Sequence, residues 1–226
     1  ASVPDSIFFE YVLPFASLNE RRENWRKDFY YRFSTVIKSA TSAYEAAAIL
    51  NNKMFEMVGV KYSTKRPKAD QAPYESMEAG LASCTGLSIL LIDACRSIGI
   101  PARFVGTPMW YNNAGNHSWV EGWDGGWHYT GAAEPTGDEL NNVWFSGLAS
   151  RAVEGHPKYG IYAATVSGIF GKYAATLSPL FIPLFFIQVE ICETFKFRFF
   201  QLNSVLNPFS LLKTIAVSVL FFFSKF

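Results

Sequence analysis

The spacing of apolar residues divides the chain into helical segments first and strands after them. Trp25, Phe29 and Phe33 recur at i, i+4 and i+8 among charged neighbours, which predicts an amphipathic helix over about 20–36. Ser42-Ala-Tyr-Glu45 has the form of a capping box, and a helix then runs through Ile49, Leu50, Met54 and Met57 to a stop at Gly59. Leu87, Leu90, Leu91, Ala94 and Ile98 mark one apolar face of a buried helix. It opens at Ser83-Cys84-Thr85-Gly86 and ends at Gly99, before Ile100-Pro101. Arg103-Phe104-Val105 reads as a strand. The runs from Ser118 to Trp123 and from Trp127 to Thr130 flank Asp124-Gly125, the signal of a two-residue hairpin. Upstream, Asp5 to Asn19 is mixed and broken by Pro4 and Pro14, and Lys61 to Pro73 is basic and proline-bearing, a surface loop. Helices followed by antiparallel strands make an α+β domain.

This pattern gives way near Gly168. All six tryptophans and every aspartate lie before that point, whereas 13 of the 21 phenylalanines lie after it. Residues 1–168 therefore read as a globular domain and 169–226 as a Phe-rich apolar tail. Its apolar runs, 180–189 and 214–223, are about half the roughly 20 residues that cross a bilayer. A longer stretch, 205–223, just reaches that length and would leave Lys225 outside as a C-terminal anchor. An interfacial segment and a translated non-coding extension are the competing readings of the tail. Membrane association, if any, is expected only through it. The chain opens at Ala1 with no Met and no apolar leader, so a targeting segment can lie upstream.

A net charge of +1 gives no attraction toward nucleic acid, and none is expected as a partner. Three cysteines, Cys84, Cys95 and Cys192, form no CxxC pair. The histidines, His117, His128 and His156, have no HExxH or HxH spacing. No metal, cofactor or disulfide framework is expected.

Cys84 stands at the mouth of its helix. A thiol there feels the helix N-terminal dipole and unsatisfied backbone N–H groups, which favour thiolate and can also stabilise an oxyanion. Cys95, further along the apolar helix, is expected in the core. A nucleophilic thiol needs an imidazole to take its proton, and His117, opening the strand Asn116-His-Ser-Trp-Val-Glu-Gly-Trp123, supplies a candidate.

These residues carry a resemblance. Cys84-Thr-Gly-Leu-Ser-Ile-Leu-Leu-Ile-Asp-Ala-Cys-Arg-Ser-Ile-Gly-Ile-Pro-Ala-Arg-Phe104, then His117-Ser-Trp-Val-Glu121 and Gly126-Trp127, resemble the transglutaminase-like superfamily over about 74–136. The resemblance implies a papain-like transglutaminase core, with the nucleophile at a helix start packed on a small antiparallel sheet. It implies Cys84 as nucleophile and His117 as base. The family's third member, an Asp four residues after the tryptophan of the last strand, would fall at Gly131, which has no side chain to offer. Glu134-Pro135-Thr136 restores the acid-Pro-Thr pattern three residues later, so Glu134 is expected to orient His117 through a bulge or a longer strand end. The alternative is a turn acid before a proline. Asp124, in the hairpin turn, is a poor candidate.

Gln71 and Tyr74 carry donors that suit an oxyanion hole, though ordinary loop roles fit both. Trp110 is the aromatic expected to line a cleft, while Trp119 and Trp123 on the strand are expected to pack. His128 and His156 are expected in structural roles. Asn116-His-Ser118 is formally a glycosylation acceptor, but a glycan there would obstruct the site, so it reads as a chance match. The function implied is cysteine-dependent acyl transfer on peptide or carboxamide bonds through a thioester, hydrolysis rather than amine transfer, with a protein or peptide as substrate. The rival is a non-catalytic binding module that keeps the same fold.

Overall fold

The computed structural model describes residues 3–166 together with 175–177 and 180–182. All of these lie in the first of two compact units, Ala1–Cys192. The tail 169–226, including the candidate anchor 205–223, otherwise lies outside the described residues. Among the described residues no helix is long and apolar enough to cross a membrane.

Six helices precede or flank a four-stranded sheet. They are α1 (Asp5–Tyr11), α2 (Arg26–Phe33), α3 (Ala43–Val58), α4 (Pro73–Ala79), α5 (Cys84–Ser97) and α6 (Ser146–Ala149). The strands are β1 (Lys61–Tyr62), β2 (Leu81–Ala82), β3 (Ala102–Thr107), β4 (His117–Trp123), β5 (Trp127–Thr130), β6 (Tyr162–Ala163), β7 (Ala175–Leu177) and β8 (Leu180–Ile182). The main sheet is antiparallel with order β5-β4-β3-β6; β1 and β2 form a short parallel pair, and β7 and β8 an antiparallel one.

The α+β expectation holds, and α3 is bounded as its sequence predicts. Ser42 Oγ accepts the N–H of Glu45, Glu45 accepts the N–H of Thr41, and Gly59 closes the helix at φ +69°. Several expectations need correction. Pro4 starts a helix instead of breaking one, since an N-cap residue needs extended backbone, not a helical N–H. The helix expected over 20–36 begins only at Arg26, because the Glu20 carboxylate folds back onto the N–H groups of Ser17 and Leu18. Pro73 opens α4 at its first position, where a missing N–H costs nothing, and Glu75 accepts the N–H of Ala72. The hairpin turn has three residues, 124–126, between the last pair Trp123 and Trp127.

Helix α5 is enclosed and does not present a single apolar face. Every residue from Gly86 to Ser97 is buried, with α2, α3 and α4 around the helix and β3 and β4 beneath it. Each of Leu87, Ile89, Leu90, Leu91 and Ile92 is at most 2% exposed, and such side chains contribute about 1.5–3 kcal/mol apiece. The residue carrying the thiol thus stands at the end of the most deeply packed element.

The period-two alternation of β4 divides its side chains between two cores. Val120 joins the helix-side cluster, and Ser118 on the same face meets Thr85 of α5. Trp119 joins a second cluster on the opposite face, with Val105, Trp110, Tyr129 and Phe145. Arg103 and Glu121, paired across β3 and β4, form an ion pair on that face with both side chains at most 2% exposed. The guanidinium also lies 3.9 Å from the Trp127 ring centroid.

Candidate active site

Ser83 caps α5 in extended conformation, and its Oγ accepts the Gly86 N–H at 3.1 Å while donating to the Ala69 carbonyl. That cap fixes the first turn. It leaves Cys84 as the first helical residue, beside N–H groups that no intrahelical carbonyl can take. Cys84 is half-buried.

His117 opens β4, held opposite Thr107 of β3, and only 7% of it is exposed. Its ring is walled by Phe145 at 4.7 Å, Trp144 at 5.1 Å, Trp110 at 6.1 Å and Trp119 at 6.2 Å between centroids. The imidazole and the Cys84 thiol stand close enough for each to shift the other's ionisation, and Ser118 acts on the same sulfur through its N–H and its hydroxyl.

These contacts decide the ionisation. Burial pushes the thiol up, but the hydrogen bond and charge of His117, then Ser118, outweigh it, so the Cys84 pKa is lowered. Burial alone would lower His117, yet the polar interactions and charges of Cys84 and Glu134 raise it to about 9. Cys95 is the contrast: fully buried in α5, its thiol is pushed up to about 12.

Glu134 reaches His117 by a chain reversal. After β5 the backbone turns so that the Glu134 N–H bonds the Gly131 carbonyl at 3.1 Å, with Ala133 at φ +62°. The carboxylate folds back over Gly131, where an added Cβ would collide with Glu134 Oε2 and stand 3.0 Å from Glu134 Cβ. Glu134 therefore occupies the space that a side chain at 131 would need, through a tight turn and not the bulge expected. Asn51 of α3 clamps the reversal: its amide donates to Thr130 Oγ1 and Gly131 O and accepts the Ala133 N–H, at 2.8–2.9 Å. Glu134 Oε2 lies 3.5 Å from His117 Nε2, an ion-pair distance long for a hydrogen bond, and takes the Trp144 indole N–H at 2.9 Å. Although burial raises it, its pKa is lowered by His117 and Trp144.

Residues 32–132 match the transglutaminase-like superfamily, a span that includes Cys84 and His117 and stops just short of Glu134. The segment is thus similar to a transglutaminase-like core over a little under half of the chain. The superfamily is, as a rule, one of cysteine-dependent enzymes. A solved structure, that of a candidate cysteine protease from Cytophaga hutchinsonii, aligns with a TM-score of 0.40 and 19% identity over 48% of this chain. The aligned part is 36% of that protein, so this chain spans little more than a third of its length. No curated protein matches the chain.

Beside Cys84 and His117 lies a cleft of ≈ 220 Å³, with Thr85, His117 and Ser118 in its wall. The other polar candidates do not reach it. Gln71 Nε2 is spent on the carbonyls of Glu75 and Leu81, and the Tyr74 hydroxyl donates to Asp28. Trp110, expected in the cleft, is 4% exposed and stacks on Trp119 at an interplanar angle of 9°, so it belongs to the core behind His117. Asp124 accepts the Tyr44 N–H at the start of α3. His128 bonds Asn141, and His156 accepts backbone N–H groups in its own loop. Among the described residues no cluster of His, Cys, Asp or Glu could hold a metal.

Four residues of the site escaped the sequence reading: Ser118, Thr85, Trp144 and Asn51. Ser118 had a readable signal, because the residue after a strand histidine must face the opposite side, here toward α5. Trp144 and Asn51 had none, since their contacts with Glu134 and its turn cross 10 and about 80 residues of chain.

Proposed function

We propose that this protein is a cysteine-dependent acyl-transfer enzyme acting on peptide or carboxamide bonds, with a protein or peptide as substrate. What carries the reading is the placement of Cys84 at the start of α5 and of His117 at the start of β4, where each shifts the other's ionisation, the thiol lowered and the imidazole raised to about 9. Shifts in those directions favour a thiolate–imidazolium pair near neutral pH.

The thiolate attacks the carbonyl carbon. As the S–C bond forms, the carbonyl π pair moves onto oxygen, where the free N–H groups of the first turn of α5 stabilise it. The imidazolium gives its proton to the leaving nitrogen, the C–N bond breaks, and a thioester remains on Cys84. Neutral His117 then takes a proton from water as the water oxygen attacks the thioester carbon; the C–S bond breaks, the acid leaves, and the thiolate–imidazolium pair is restored. Glu134 holds the imidazolium and its tautomer from the Nε2 side. An amine in place of water would give transamidation. Hydrolysis is favoured because, among the described residues, the cleft carries no carboxylate to collect a charged amine.

Iodoacetamide labelling from about pH 5 to 9 tests the nucleophile. Cys84 is expected to react far faster than Cys95 and to keep its rate at acidic pH. Labelling of Cys84 that follows an unperturbed thiol, near pKa 8.5, would refute the activated pair. On a fluorogenic peptide or carboxamide substrate, Cys84→Ala is expected to lose all turnover, and retained turnover would exclude Cys84 as the nucleophile.

A further inference from the structure

The cleft beside the dyad has two unlike halves. One consists of groups that surround the reacting sulfur: Thr85, next to Cys84, and Ser118, whose hydroxyl lies 3.2 Å from Thr85 Oγ1. The other is formed chiefly by Leu18, Phe104, Pro108, Tyr162, Ala163 and Ala164, with Thr107 and Asn116 adding neutral polar groups. Apart from His117 itself, no Asp, Glu, Lys or Arg among the described residues lines it. A second depression, which shares only Leu18 with the first, contains Arg22. At ≈ 220 Å³ the cleft falls below the roughly 300–1,000 Å³ of sites for drug-sized ligands and suits a single side chain.

We propose that this cleft is the acyl-side specificity pocket of the enzyme and takes one uncharged apolar side chain of leucine or phenylalanine class, next to the carbonyl under attack. The inference rests on the acyl-transfer reading above and adds the substrate class to it. The acyl group stays bonded to Cys84 while the leaving group departs, so a pocket walled by the sulfur's own neighbours holds the acyl side. Apolar walls gain free energy by removing an apolar side chain from water. A carboxylate or ammonium in the same place would lose its hydration without a partner.

The test uses the full chain and peptidyl chloromethyl ketones that differ only in the residue bearing the ketone: Leu, Phe, Gly, Glu or Lys. The second-order rate of Cys84 alkylation is read by intact-mass spectrometry. Leu or Phe is expected to exceed Gly by at least about tenfold, the scale on which apolar pockets discriminate, with Glu and Lys below Gly. Ala164→Asp, or independently Leu18→Asp, is expected to invert the order between Leu and Lys, each compared with Gly in the same variant. Thermal melting close to the wild type certifies the fold of each variant. Rapid iodoacetamide labelling with no preference among the ketones, or with Glu or Lys preferred, overturns the pocket and leaves the nucleophile standing. A Leu preference that neither variant alters overturns its location. Slow iodoacetamide labelling of the wild type overturns the acyl-transfer reading and the pocket with it.

Discussion

Gly131→Ala separates Glu134, the proposed acid, from His117, the proposed base, without removing either. Gly131 is not among the positions with positive φ, so alanine meets no backbone strain there. Its Cβ, however, would overlap Glu134 Oε2, and would lie 3.0 Å from Glu134 Cβ and 3.2 Å from Cδ. Real Cβ contacts are essentially never so close, and the neighbour able to give way is the Glu134 side chain, which is partly exposed. The carboxylate should swing away from His117 toward solvent, while Asn51 still holds the backbone turn. Misplacing an orienting group by about 1 Å can cost on the order of 100-fold in rate, and that is the expected loss in turnover. The pH profile gives a more specific readout. Glu134 helps raise His117 to about 9, so the limb of the profile that reports loss of the His117 proton should move down toward 6.5. The acidic limb, set by Cys84 with His117 and Ser118, should move less. Glu134→Gln should reproduce the fall of the basic limb, and both variants should melt close to the wild type. A Gly131→Ala protein with an unchanged basic limb and unchanged turnover would show that Glu134 does not orient the base.

Two further outcomes follow from groups beside and beneath the site. Ser118→Ala removes a hydroxyl that helps hold the Cys84 thiol below its ordinary pKa. Hydrogen bonds to charged groups are worth about 1.5–3 kcal/mol, so iodoacetamide labelling at acidic pH should slow by about tenfold or more, with little change in melting temperature. A rate identical to wild type would remove Ser118 from the sulfur's environment. Asp93 is 0% exposed with neither oxygen hydrogen-bonded, and burial raises its pKa well above 3.8 despite Arg96 and Arg26. The folded state therefore keeps a proton that the unfolded chain releases, and the associated stability is present below about pH 3.8 and is lost as pH rises toward the folded value. Asp93→Asn should abolish a slope of about 1.4 kcal/mol per pH unit, read by urea denaturation in the mildly acidic range. A parallel pH dependence in both proteins would mean that Asp93 is ionised in the fold.

What the sequence made legible depended on how local each cause was. Helix α3 has its cap, its apolar spacing and its terminal glycine within 18 consecutive residues, 42–59, and its bounds follow from them. Cys84 could be placed at a helix mouth because Ser83 and Gly99 bracket the helix, and His117 at a strand start because β4 and β5 meet at a glycine-rich turn. Strand β6 was missed because two residues, Tyr162–Ala163, carry no alternation; they are strand only because β3 offers them an edge. Trp110 misled for a similar reason. A tryptophan in a loop before the candidate base reads as a cleft residue, yet His117 and Trp119 of β4 and Phe145 before α6 pack against its ring. Glu134 was legible as a neighbour for His117 but the geometry that brings it there was not: nothing at 131–134 announces that Ala133 takes a left-handed φ.

The turn carrying Glu134 also explains how a site can tolerate an acid displaced along the chain. The side chain at 131 would point from the end of β5, whereas Glu134 comes from beyond it and needs a longer reach and a fixed reversal. The extra methylene of Glu over Asp supplies the reach. The reversal is fixed from α3, where Asn51, only 3% exposed, uses both amide functions on three backbone or side-chain groups of the turn. A buried amide leaving such partners unmet would cost about 1–3 kcal/mol, so the turn and the helix hold each other in one arrangement. Gly131 completes the arrangement by leaving its side-chain space empty for the carboxylate. Displacing the acid thus rests on three coordinated features, a missing Cβ at 131, a longer acid at 134 and a clamp at 51. Reverting one of them alone, as Gly131→Asp would, should crowd two carboxylates onto one imidazole instead of restoring the usual pattern.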